Sequence, residues 1–300
     1  MAYRFKRRES IPEGVRRVAG EEIDAAVADL APTAPDLHEG VHEARKRFKK
    51  IRAVLRLARS ELGDEVYRRE NVWYRDAGRR LSEARDAEAM IETFDKLRER
   101  YPGPFERRSF RAVRKELVRR RDALTEHADE FGRTVAEVRA ELASARERIA
   151  EWNLDDPGFD AIAPGLRRIY RAGRRALARA SEEASPENFH ELRKRVKDLW
   201  YHVRLLRGVW PECMGALETE LKALSDHLGD DHDLVVFEGH LGELEGSKFD
   251  RSDVDAMLEF ARQRQEELRA AAMDLARRVH GEKPARFRDR MEAYWTAWKS

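Results

Sequence analysis

Apolar positions recur at three- and four-residue intervals along almost the whole chain, the period of amphipathic helices rather than strands. The spacing predicts helices over 13–31, 38–60, 64–98, 105–129, 132–152, 160–182, 187–208, 213–243, 252–280 and 284–298. One strand-like run, Leu-Val-Val-Phe at 234–237, is short and sits inside a helical pattern. Proline-rich punctuation supplies the stops: Ala-Pro-Thr-Ala-Pro at 31–35, Tyr-Pro-Gly-Pro at 101–104, Asp-Asp-Pro-Gly at 155–158 and Trp-Pro at 210–211. Ser185-Pro186-Glu187 reads as an N-cap followed by a proline in the first helical turn. The expectation is an all-α protein with a linker near 153–159.

The pattern is written twice. His42-Glu43-Ala44-Arg45-Lys46-Arg47-Phe48-Lys49 recurs 148 residues later as His190-Glu191-Leu192-Arg193-Lys194-Arg195-Val196-Lys197, with six of eight positions identical. Gly14-Val15-Arg16-Arg17-Val18 precedes the first copy as Gly165-Leu166-Arg167-Arg168-Ile169 precedes the second. Downstream, Leu81-Ser82-Glu83-Ala84-Arg85-Asp86 aligns with Leu228-Gly229-Asp230-Asp231-His232-Asp233, and the same register sets Arg75 against Lys222. An internal repeat of this length implies duplicated structural units. The expected halves are 1–152 and 160–300.

Composition narrows the class. Charged residues make up 39% and the hydrophobic set 41%, which suits long helices with a narrow apolar stripe. Lys and Arg number 60 against 58 Asp and Glu, so only the distribution of charge can point to a polyanion. The single cysteine, Cys213, excludes an internal disulfide and a thiolate metal cluster. With no long apolar run and no apolar signal core in Met-Ala-Tyr-Arg-Phe-Lys-Arg-Arg, a cytoplasmic protein with no membrane partner is expected.

On a helix, His42, Arg45, Lys46, Lys49, Arg52 and Arg56 form one stripe, and His190, Arg193, Lys194, Lys197, Tyr201 and Arg204 repeat it. Between 36 and 60, eight basic residues face three acidic ones, a net +5. Like charges one turn apart repel, so local helix stability does not explain the stripe, whereas an anion would relieve it. A solvated charged face is the ordinary explanation of one such run. Recurrence of the same basic residue types at the same positions argues for a ligand instead, since Arg forks onto phosphate oxygens and Lys supplies a point charge.

The duplicated His-Glu-x-Arg-Lys-Arg-x-Lys, the lead-in Gly-Leu-Arg-Arg-Ile-Tyr-Arg-Ala-Gly-Arg-Arg and the Leu-Gly-Asp-Asp-His-Asp-Leu run together resemble a CHAD domain, over roughly 10–300. The resemblance implies two pseudo-symmetric antiparallel helical bundles around a basic central channel. It also implies non-catalytic binding of inorganic polyphosphate, with no cofactor or metal and with polyphosphate granules as a place of association. The residues assigned to the polyanion are the two stripes together with Arg17, Arg168, Arg171, Arg75, Arg79, Lys222 and His232. One departure is Ser-Glu-Ala-Arg-Asp at 82–86, which lacks the Gly-Asp-x-His-Asp form.

Three rival readings carry less. Glu39-x-x-His42 and Glu187-x-x-His190 have the spacing of di-iron carboxylate bundles, but neighbouring Arg45 and Lys46 would repel the metals. His227, Asp230, Asp231, His232 and Asp233 could seed a metal-dependent phosphohydrolase, yet the first half offers Arg79, Glu83, Ala84, Arg85 and Asp86 there. The preferred role of Asp230 and Asp233 is to orient arginines of neighbouring helices, with His202, His240 and His280 incidental. Nucleic acid is disfavoured: Tyr74, Tyr170, Tyr201 and Trp200 could stack bases, but a duplex could not enter a channel that admits a thin phosphate chain.

Overall fold

The computed structural model describes residues 3–33, 36–125, 128–244 and 249–300, with the backbone alone for 83–86, 124–125, 128–129 and 244. Among these residues the fold is all-α. The helices are α1 (Ile11–Asp29), α2 (Leu37–Leu57), α3 (Arg59–Arg80), α4 (Glu83–Arg100), α5 (Pro102–Phe105), α6 (Arg108–Thr125), α7 (Ala128–Arg148), α8 (Ala163–Glu182), α9 (Pro186–Leu205), α10 (Pro211–Leu244), α11 (Arg251–Val279) and α12 (Pro284–Lys299). The Leu-Val-Val-Phe run lies within α10.

Local chemistry sets the ends. At α1 the Ser10 amide donates to Glu13 Oε2 at 2.7 Å while Ser10 Oγ accepts from the Glu13 amide, a reciprocal capping box. Asp36 caps α2 by accepting from the amides of His38 and Glu39. Ser185 caps α9 ahead of Pro186, as the sequence indicates. The single helix expected over 64–98 is two: α3 stops at Arg80 and α4 starts at Glu83. No glycine or proline marks that break. Gly63, at φ 73°, separates the opening turn of α3 from the helix proper, so the regular run begins at Asp64.

Buried apolar side chains fall into two clusters. The larger draws on α1, α2, α3, α7, α8, α9, α12, the start of α10 and the end of α11. The smaller joins α4, α5 and α6 to the rest of α10 and α11 through Phe94, Phe105, Phe110, Phe237 and Met257. Both clusters therefore contain residues from before and after the 153–159 linker, and the two repeats are packed through shared cores.

Two contacts bring the repeats to backbone distance. A Cβ at Gly165 would lie 1.9 Å from the Leu57 carbonyl oxygen, so α8 presses on the end of α2 at a point where no side chain fits. His202, fully buried on α9, donates from Nε2 to the Ala53 carbonyl of α2 at 2.9 Å. Burial pushes its imidazole down to about 3, so it stays neutral. Expected to be incidental, His202 serves as a pin between the two histidine helices.

Candidate anion-binding site

With Val41, Ala44, Phe48, Ile51 and Leu55 buried on one side of α2, and Phe189, Leu192, Val196 and Leu199 on one side of α9, the basic stripes are left on the other faces. The two helices pack against each other. Arg56 Nη1 reaches across to Asp198 Oδ1 at 2.9 Å, and Arg195 holds the second oxygen of the same carboxylate at 3.6 Å. Asp198 is a site residue the stripes do not announce. Its signal lies in the repeat itself, whose register sets it against Lys50.

At the centre, Lys49 and Lys197 come from different repeats and feel each other's charge. Lys49 remains open to solvent along its side chain, while neighbouring protein crowds its ammonium. Burial pushes its ammonium down to about 7, and Lys197, Arg45, Arg193 and Arg52 add repulsion. Burial likewise pushes Lys197 down to about 8, with Arg193 adding to the fall and Asp233 and Asp226 opposing it. Neither lysine has a carboxylate within ion-pair distance among the described residues. Arg52 donates to Asn71 Oδ1 at 3.1 Å and is pushed down to about 10 by burial and Arg56, so it keeps its charge at neutral pH.

Arg45 and Arg193 occupy equivalent positions and meet different fates. Arg45 Nη1 donates to the carbonyls of Leu81 and Ser82, each at 3.4 Å, at the junction of α3 and α4. The matching segment of the second repeat, Leu228-Gly229, lies inside the uninterrupted α10. Its carbonyls are used within the helix, and Arg193 Nε is buried with no hydrogen-bond partner among the described residues. An unsatisfied buried guanidinium donor is costly, and an anion oxygen would satisfy it.

Beside Arg193, the Nδ1 atoms of His190 and His232 stand 3.2 Å apart. Burial lowers both rings, His232 to about 4, with Arg193, His190 and Lys197 contributing there. His42 is half-buried and engaged. Of the aligned block at 82–86, the side chains of Glu83, Ala84, Arg85 and Asp86 lie outside the described residues.

Other expected ligand groups are occupied or lie elsewhere. Lys46 and Lys194 are each tied to the glutamate one turn back, Glu43 and Glu191, in both repeats alike. Arg17 is held by Glu9 and Glu21, Arg75 by both oxygens of Asp76, and Lys222 by Asp226 at 2.6 Å. Arg79 is exposed, 3.7 Å from Asp76. Arg204 lies over the Trp200 and Tyr3 rings beside Glu218. Tyr201 is a core residue, edge-on to Tyr3, its phenol pushed up to about 12 by burial. Arg168 donates to the Arg56 carbonyl at 2.5 Å, and Arg171 is exposed on the outside of α8.

The acidic cluster of α10 is engaged as well. Asp230 binds Lys96 of α4 and the buried Asp231 binds Arg269 of α11, each at 2.6 Å. Asp233 acts on Arg193, Lys96 and Lys197. Lys96 and Arg269 carry no repeat signature that would have singled them out. Glu39 and Glu187 are exposed in the first turns of their helices. Among the described residues no three His, Cys, Asp or Glu side chains are placed to hold a metal ion. The cluster thus works by orienting cations, Asp231 more directly than Asp233.

A family model described as the CHAD domain matches residues 17–242. The chain belongs to the CHAD family. Curated relatives include the uncharacterized protein Rv2226 of Mycobacterium tuberculosis strain H37Rv, 26% identical over 247 residues, which cover 76% of this chain and 44% of that protein. The uncharacterized protein MT2285 of Mycobacterium tuberculosis strain CDC 1551 matches to the same extent. The chain spans less than half the length of these relatives. Among solved structures, the crystal structure of the CHAD domain from the plant Ricinus communis superposes with a TM-score of 0.67 at 17% identity, covering 94% of this chain and 95% of that one. That likeness shows the shared all-α fold. No helix among the described residues is long and apolar enough to cross a membrane.

Proposed function

We propose that this CHAD protein binds inorganic polyphosphate, without turning it over, in a basic channel formed where α2 and α9 face each other. The observation that carries the reading is the convergence of Lys49, Arg52, Arg193 and Lys197, from both repeats, with no carboxylate in ion-pair contact among the described residues. Most other cations of these helices are neutralised: Lys50 by Glu22, Arg47 by Glu22 and Asp29, Arg56 by Asp198. The fold spends its acids around the site and leaves the centre uncompensated.

Such a centre favours a ligand dense in negative charge and thin enough to lie between two helices. Each phosphate of a linear chain carries charge, and no bases need to be accommodated. Arg193 and Arg52 present guanidinium donors to phosphate oxygens, while Lys49 and Lys197 supply point charge. Binding relieves the repulsion among the four and releases counterions from the chain, by analogy with nucleic acids. The family resemblance points to the same ligand. Titration with long-chain polyphosphate, tripolyphosphate, and single- and double-stranded RNA tests the reading. Polyphosphate is expected to bind more tightly than either RNA at equal phosphate and salt, and phosphate release with magnesium or manganese is expected to match buffer. Tighter RNA binding, or release that disappears in Asp233→Ala, would overturn it.

A further inference from the structure

Six arginines project from α8, and none lies within ion-pair distance of a carboxylate among the described residues. Arg168 and Arg174 turn to backbone carbonyls, of Arg56 and Glu282. The other four, Arg167, Arg171, Arg175 and Arg179, are exposed and recur every fourth residue. They form an outer row with a step of about 6 Å, running about 18 Å along the helix.

What sets that row apart is its regular pitch along one helix. Some exposed arginines elsewhere find acids: Arg80 has Glu137 and Glu141, Arg100 has Glu267, and Arg119 has Glu116. On α8, like charges one turn apart repel, and Arg167 sits near the positive end of the helix dipole. The duplication does not supply the row either. In the register that aligns Gly14 with Gly165, Arg171, Arg175 and Arg179 stand opposite Gly20, Asp24 and Ala28. Arg16, opposite Arg167, donates to the Trp152 carbonyl.

The surroundings select among polyanions. Tyr170, the aromatic residue of α8, is buried and stacked on Phe287 at 4.1 Å between centroids, so it offers no platform for a base. Among the described residues the exposed large hydrophobics, Val72 and Trp210, lie away from α8, so they give the row no apolar anchor for a lipid surface. Guanidinium forks at a regular pitch suit a string of phosphates without bases.

Resting on the polyphosphate reading above, we infer that the outer row of α8 is a second docking strip for the same linear polymer, outside the α2–α9 site. Because α8 packs directly on both α2 and α9, one long chain engages site and strip together. The second contact is then intramolecular and raises affinity through effective concentration, whereas a short chain gains nothing from it.

The test compares wild type with Arg167→Gln/Arg175→Gln/Arg179→Gln, using long-chain polyphosphate, tripolyphosphate and single-stranded RNA at fixed ionic strength. The triple variant is expected to keep wild-type melting and tripolyphosphate affinity, and to lose about tenfold or more in affinity for the long chain. Equal long-chain affinity in the two proteins would remove the strip while leaving the central site standing. A loss confined to RNA would assign the row to nucleic acid instead. Wild-type protein that binds polyphosphate of neither length would overturn the site and the strip together.

Discussion

Lys49 and Lys197 carry the account at the scale of single residues. Burial and neighbouring cations lower Lys49 to about 7 and Lys197 to about 8, so near neutral pH each is part-way to neutral. An anion between them restores the charged form, and binding then takes up protons. Affinity is expected to rise as pH falls from about 8 towards 7. The calorimetric enthalpy should vary with the ionisation enthalpy of the buffer, and Lys49→Gln should reduce that dependence. A buffer-independent enthalpy would mean the lysines stay fully charged without ligand. For the empty protein the sign reverses: an unfolded chain binds more protons than the native one between about 7 and the ordinary lysine value, so Lys49 makes stability rise with pH across that window. The stripe residues were legible because helical spacing and repetition are written in sequence. Their partners were not: Glu22, 28 residues from Lys50, and Asp198, 142 residues from Arg56, become neighbours only through tertiary packing.

Helices and their ends decide which cations stay unmet. Most boundaries could be read from Ser-Pro, Trp-Pro and Asp-Pro-Gly signals, and Asp36 and Ser185 cap where such residues normally cap. The break between α3 and α4 was hidden, because Leu81-Ser82 is not a breaking sequence and the junction is held by Arg45, from 36 residues upstream of Leu81. That break also distinguishes the two copies of one arginine, leaving Arg193 without the acceptors Arg45 has found. The crossing of α8 and α2 depends on Gly165. Gly165→Ala is expected to lower stability by about 1–3 kcal/mol or more, since its methyl would collide with backbone rather than with a movable side chain. Thermal unfolding measures this, and a melting temperature equal to wild type would show that α8 can shift without consequence. Gly173, where the atoms nearest an added Cβ belong to the His280 side chain rather than to backbone, is the comparison.

Over the whole molecule, near-neutral net charge conceals strong local fields, because acids such as Glu22, Asp29 and Glu191 are placed against the flanks of the basic helices. If four cations contact the polymer, log affinity should fall linearly with log salt at a slope of about 3, by analogy with nucleic acids. A flat response would contradict an electrostatic mechanism. The duplication was legible and set α2 and α9, which pack against each other, in one register, while the sharing of both apolar clusters between repeats was not visible in pattern alone. The central claim is that α2 and α9 make one site rather than two. Calorimetric titration of tripolyphosphate into wild type, Lys49→Gln, Lys197→Gln and the double variant tests it most directly. One site predicts one ligand per chain, a marked loss of affinity in each single variant and a double variant that departs from additivity by about 0.5–3 kcal/mol. Two ligands per wild-type chain, with each single change removing one of them and leaving the other at full affinity, would contradict it.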